Sequence, residues 1–108
     1  MLLAALALGS TVALALSREA EEFIAITKEL EPLQCEKRKL RREIALGEIE
    51  HRDTTELRAR FNKLDRDPKT SALEKRLAQL EPSLRASRDR EDLEAISRQS
   101  RDAFYRCQ

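Results

Sequence analysis

The way charge is divided along this chain limits its fold more than any other feature. All 21 lysines and arginines and all 20 aspartates and glutamates lie at or beyond Arg18. Residues 1–16, MLLAALALGSTVALAL, carry no charged side chain. The remainder is so dense in charge that only narrow apolar stripes are left to bury, and narrow stripes suit helices packed side by side. Strands have little support: the single valine, Val12, lies in the uncharged segment, and aromatics make up 4% of the chain.

The uncharged segment reads as an address. A secretory signal combines a basic start, an apolar run of about 7–15 residues and small residues before the cut. Residues 2–16 supply the run. Ala13 and Ala15 allow a cut before Leu16; Ala15 and Ser17 allow one before Arg18. The basic start is missing. The rival reading is a membrane anchor, but a spanning helix needs roughly 20 apolar residues. This run is shorter and is diluted by Gly9, Ser10 and Thr11. Residues 1–17 are therefore expected to be a signal peptide or an uncleaved anchor, and residues 18–108 a single helical domain.

Within that domain Phe23, Ile26, Leu30, Leu33, Leu40 and Ile44 advance by threes and fours, with Lys37 in the one gap. This is the seam of an amphipathic helix. Pro32 interrupts it, because proline removes a backbone donor and clashes with the preceding turn. A first helix is expected to end or kink near Glu31, and a second to run from Pro32 to about Arg52, with Gly47 a weak point. Asp53-Thr54-Thr55-Glu56 has the form of a capping box, followed by the stripe Leu57, Phe61 and Leu64. Asp65-Arg66-Asp67-Pro68 is expected to end that helix and to be the main reversal of the chain.

Ser71-Ala72-Leu73-Glu74 offers another capping box, and Leu73, Leu77, Leu80 and Leu84 form the clearest heptad-like run. Pro82 lies inside it. The pattern lapses over residues 85–92 and resumes out of phase at Leu93, Ile96, Ala103 and Cys107. The expected fold is all-α: a proline-interrupted helical hairpin or small three-helix bundle with coiled-coil-like seams, following the signal segment.

A domain with only about twenty large apolar side chains is marginal on burial alone and usually needs a staple. Cys35 and Cys107 are the only cysteines. In an oxidising compartment two cysteines of a small exported chain most often pair. Folding the chain about Asp67 brings both to one end, so an internal disulfide is expected, with a bridge between two copies the alternative. Their wide spacing is unlike the closely spaced pairs of redox enzymes.

Candidate sites are few. Lys37, Arg38, Lys39, Arg41 and Arg42 form a basic run that can meet an anionic surface, although on a helix they spread around more than half the circumference. No aromatic is interleaved with them for base stacking, so nucleic acid is not an expected partner. Leu73, Leu77, Leu80 and Leu84 are a stripe for a partner or for the core. Phe104 is expected to close the end of the core, with a terminal docking tag at Phe104-Tyr105 the rival. His51, the only histidine, fits the polar end of a helix. Zinc needs about four ligands, which this chain does not group, so no metal and no cofactor are expected. There is no glycine-rich phosphate loop and no nucleophile elbow.

These features describe a non-enzymatic, exported helical protein of the bacterial periplasm that acts as a protein-interaction module: adaptor, accessory or chaperone-like. Its partner is expected to be an envelope protein, with a homodimer possible on the same seams and membrane contact only if the leader is retained. The alternative is a structural coiled coil anchored in the inner membrane and facing the periplasm. Its apolar start, polar helices and near-terminal cysteine resemble the layout of inner-membrane spanin subunits of phage lysis systems, a resemblance of architecture rather than of motif.

Overall fold

The computed structural model describes residues 16–107. The expected leader therefore lies outside the described residues except for Leu16 and Ser17. Among the described residues four helices make up the regular structure: α1 (Arg18–Ile49), α2 (Thr55–Asp65), α3 (Pro68–Ala86) and α4 (Arg90–Arg106). The chain is all-α, as its stripes require.

The spine is α1, 32 residues long, or about 48 Å at the usual helical rise. The other three helices pack on it. Ion pairs fix their directions. Arg58 meets Glu48, Arg60 meets Glu36 and Asp65 meets Lys37, so α2 runs back along the C-terminal half of α1. Lys69 meets Glu29 and Arg76 meets Glu22, so α3 continues the same way along the N-terminal half. The last helix turns again: Asp92 lies at Ser17 and Arg106 at Glu31. One half of the molecule is thus a three-helix bundle of α1, α3 and α4, and the other a two-helix hairpin of α1 and α2.

The reversals fall at residues 50–54 and 87–89, not at Asp67. Asp67-Pro68 does stop α2, but it starts α3 immediately. The Asp67 carboxylate accepts from the backbone N–H of Thr70 at 2.9 Å, and Pro68 occupies the first turn, where its missing donor costs nothing. The expected cap at Ser71 is therefore inside the helix. An Asp-Pro pair that closes one helix also opens the next, and the two follow each other along α1.

Nor does Pro32 end a helix; α1 runs straight through it, as α3 runs through Pro82. Both prolines are exposed, and so are Lys28 and Ala78, whose carbonyls lose their usual donors. At an exposed surface such groups are open to solvent. On the opposite side the stripe continues: Ile26, Leu30 and Leu40 are buried on α1, and Leu80 and Leu84 on α3. Uninterrupted burial on one face outweighs a broken backbone bond on the other.

The main core consists of Ala20, Ile26, Leu30, Leu80 and Leu84, with Phe23, Leu33, Leu73, Leu77 and Ile96 packed against it. The leucine stripe of α3 is thus core. The phase of α4 differs from the sequence reading. Its buried residues are Asp92 and Gln99, with Ile96 and Ala103 half-buried between and beyond them, whereas Leu93 faces solvent. Asp92 turns inward because it has a partner there: its carboxylate accepts the backbone N–H of Ser17 at 2.9 Å. Ser17 is in turn the N-cap of α1, its Oγ accepting from Ala20 N–H at 3.1 Å.

The first reversal depends on two local devices. Arg52 N–H reaches Gly47 C=O at 2.8 Å and His51 N–H reaches Glu48 C=O at 3.2 Å, the paired bonds of a Schellman cap. The cap places His51 at φ 58°, a position that favours glycine. The chain then folds Thr54 back onto α1. Thr54 is buried, and its methyl would lie 2.6 Å from a Cβ added at Gly47. Gly47 is thus the seat of the turn, not a weak point of the helix. Thr54, not Asp53, is the N-cap of α2, and it makes no side-chain cap bond; Asp53 instead accepts from the backbone N–H of Thr55 at 3.0 Å and from its hydroxyl at 2.6 Å, a local turn in place of the expected capping box.

Replacing Gly47 by alanine gains helix propensity but forces Thr54 away from α1. Overpacking of this kind costs about 1–3 kcal/mol, so G47A is expected to lower the melting temperature. Removing the Thr54 methyl in the double variant G47A/T54S is expected to restore it. Thermal denaturation of the oxidised protein checks both.

Candidate interaction site

Cys35 and Cys107 form a disulfide with a Cα–Cα distance of 5.6 Å across a sequence separation of 72. The expected pairing is present, reached by two reversals with α4 parallel to α1. The bridge ties the end of α4 to the middle of α1. Beside it Arg106 grips the Glu31 carboxylate through Nε at 2.8 Å and Nη2 at 2.9 Å. That bidentate bond holds the Glu31 pKa below its usual value and raises that of Arg106.

An open cavity of about 300 Å³ lies next to the bridge, walled by Leu30, Leu77, Ala103, Phe104 and the disulfide. Gln99 also lines it, and Gln99 Nε2 is buried without closing a full hydrogen bond. Its pull on the Glu31 carboxylate is weak and comes after that of Arg106. Phe104 is 59% exposed, and its ring meets that of Tyr105, 65% exposed, edge to face at 5.6 Å. Phe104 therefore does not close the core. Exposed apolar residues occur again at the far hairpin, where Leu46 and Ile49 face outward.

The basic run is dispersed by the helix that carries it. Lys37 is turned inward and is 4% exposed. Its Nζ meets Asp65 at 2.7 Å and Glu74 at 3.8 Å, and Gln34 donates to the same Glu74 at 2.9 Å. Lys37 therefore occupies its place in the apolar stripe and joins α1, α2 and α3 at one point. Arg41, one turn on, shares the Phe61 ring with it, at 5.3 Å against 5.6 Å for Lys37. Arg38 lies over Phe104 at 5.4 Å. Lys39 and Arg42 complete the run, half-buried and exposed respectively.

The resolved electrostatic shifts are those of structural pairs and caps. Arg76 holds Glu22 low, Lys37 holds Asp65 low, and the Thr55 and Thr70 bonds do the same for Asp53 and Asp67. Each shift carries its carboxylate further from neutrality, the opposite of what a general acid at neutral pH needs. His51 serves as the left-handed cap residue. Among the described residues no group of three or more His, Cys, Asp or Glu is placed to hold a metal ion. No helix of the described residues is long and apolar enough to cross a membrane.

No family model, curated protein or solved structure matches this chain.

Closing a loop of this size with a disulfide is worth about 4 kcal/mol on the chain-entropy model. Reduction is expected to release α4 first, because its two fully buried residues, Asp92 and Gln99, are polar. Amide hydrogen exchange should show protection lost over residues 90–106 before it is lost over residues 20–40. Asp65 has a folded pKa below the ordinary 3.8, so its contribution is complete above that value and disappears as pH falls through the lower folded one. Urea midpoints are expected to drop below about pH 4. The variant D65N should be less stable than wild type at pH 7 and should show a smaller acid-induced loss.

Proposed function

We propose that this chain is an exported, non-enzymatic helical module of the bacterial cell envelope that acts by binding a protein partner. The observation that carries the reading is the Cys35–Cys107 bridge on a helix whose two fully buried residues, Asp92 and Gln99, are polar. Such a staple persists where thiols are oxidised, as in the periplasm, and is rare in the cytosol. The uncharged leader agrees with that compartment. The binding role is supported by apolar groups left outside: Phe104 and Tyr105 at the stapled end, and Leu46 and Ile49 on the two-helix hairpin. Aromatic anchors of this kind are common at protein interfaces.

The test is made in cells with the full chain. Fractionation is expected to place it in the soluble periplasm with no thiol free to alkylate. A photo-crosslinker at Phe104 or Ile49 is expected to trap a defined envelope protein. A reduced, folded chain in the cytosol would overturn the proposal. Retention in the membrane pellet after carbonate extraction would favour the anchored structural coiled coil instead. An adduct of twice the chain mass would identify the partner as a second copy.

A further inference from the structure

We infer that the two-helix half of the molecule holds a groove that receives an acidic amphipathic helix of a partner protein, laid along α1 in line with α4. This deepens the binding reading above and rests on it.

The groove continues the seat of α4. Thr27, Glu31, Gln34 and Arg38 advance along α1 by fours and threes, and all four line the cavity that α1 shares with Gln99, Ala103 and Phe104 of α4. The same steps lead on to Arg41, Ala45 and Glu48. These three and Ile44 form one wall of an open groove of about 490 Å³, and Arg58, Phe61 and Asn62 of α2 form the other. One stripe of α1 thus provides two seats. The first is taken by α4, which ends at Arg106, where Cys107 is tied back to Cys35. No residue of α3 or α4 lines the second. Burial reflects the difference. Helix α3 buries Thr70, Leu80 and Leu84, whereas α2 buries no residue. Its stripe of Leu57, Phe61 and Leu64 is only half-buried, as is Ile44 opposite. From Arg38 to Ile49 the vacant stripe is about 16 Å long, three helical turns.

Charge selects the occupant. Arg38, Arg41 and Arg42 stand along the α1 side, and Arg66 lies one turn beyond Asn62 on α2. Arg38 and Arg41 lie over the rings of Phe104 and Phe61, not on carboxylates. The neighbouring acids are engaged elsewhere: Glu36 by Arg60, Glu48 by Arg58 and Asp65 by Lys37. Asp65 feels Arg41 and Arg66 only after Lys37 has bonded it. Helical spacing puts Glu43 and Glu56 on the far flanks of their helices. The groove therefore offers apolar surface at Ile44, Ala45 and Phe61 between positive charges that lack a counter-charge. Its complement is a helix with apolar residues at three–four spacing and carboxylates on both flanks.

The test uses the full chain, exported by a bacterial host and purified oxidised. The probe is a capped peptide of about 14 residues, with leucine at three–four spacing and glutamate elsewhere; its control has lysine for glutamate. The glutamate peptide is expected to move the amide NMR signals of residues 41–48 and 58–62, and to bind at least about tenfold more tightly than the control. The variant Ala45→Trp fills the groove from an exposed position and is expected to abolish binding. Arg42→Glu is expected to weaken it about fivefold. Both should melt close to wild type. No binding, equal binding of the two peptides, or movement only at residues 104–107 overturns the inference. Movement of the same signals by phosphatidylglycerol vesicles but not by the peptide makes the face a lipid contact and overturns it as well. In cells, a photo-crosslinker at Ala45 is expected to trap an acidic segment of the envelope protein that Ile49 traps. An adduct of twice the chain mass from Ala45 seats a second copy there and overturns the inference. Adducts from Phe104 but not from Ala45 overturn the groove and leave the binding reading standing. No adduct from any of these positions overturns both.

Discussion

A helix that buries an aspartate and a glutamine and turns a leucine and two aromatics to solvent cannot hold its place by apolar burial. This is the situation of α4, and the Cys35–Cys107 bridge answers it. The bridge fixes one end, the Arg106–Glu31 pair reinforces it, and the Asp92–Ser17 bond fixes the other. Between these clamps Ile96 packs against the core, with Ala95 and Ala103 half-buried. The three-helix half of the molecule exists because α4 is attached, and α4 is attached chiefly by covalent and polar means.

The other organising element is the length of α1. One helix long enough to serve two partners in succession lets α2 and α3 pack as consecutive segments. The joint between them sits over Lys37, whose ammonium bonds Asp65 at the end of α2 and approaches Glu74 on α3. Its aliphatic stem covers apolar surface while the charge finds carboxylates, one of them half exposed, so the burden of taking a charge out of water is shared.

Much of this was legible in the residues. The threes and fours from Phe23 to Ile44 mark the buried face of α1, including Lys37 at the vacant step. The leucines at 73, 77, 80 and 84 mark that of α3. The disulfide was legible from cysteine count and thin composition. What sequence periodicity could not supply was the meaning of the prolines. Pro32 and Pro82 look like breaks, yet both point to water, and a local rule about backbone donors cannot see which side of a helix will be wet. Asp67-Pro68 carries the signal of a stop, yet it is equally a start. The inward turn of Asp92 had no local signal at all, because its reason is a serine N–H 75 positions away. For the candidate site, the disulfide residues were visible early, but the cavity beside them needs Leu30, Leu77 and Gln99 from three different helices.

The Asp92–Ser17 bond carries a consequence for synthesis. A ribosome makes the chain from α1 toward α4, so the group that fastens the opening of the first helix is translated almost last. Until then α1 has neither clasp nor staple, and its apolar face has at most α2 and α3 to meet. Nascent lengths that stop short of α4 therefore remain pliable, and the domain sets only when its closing helix comes round to meet its opening residue.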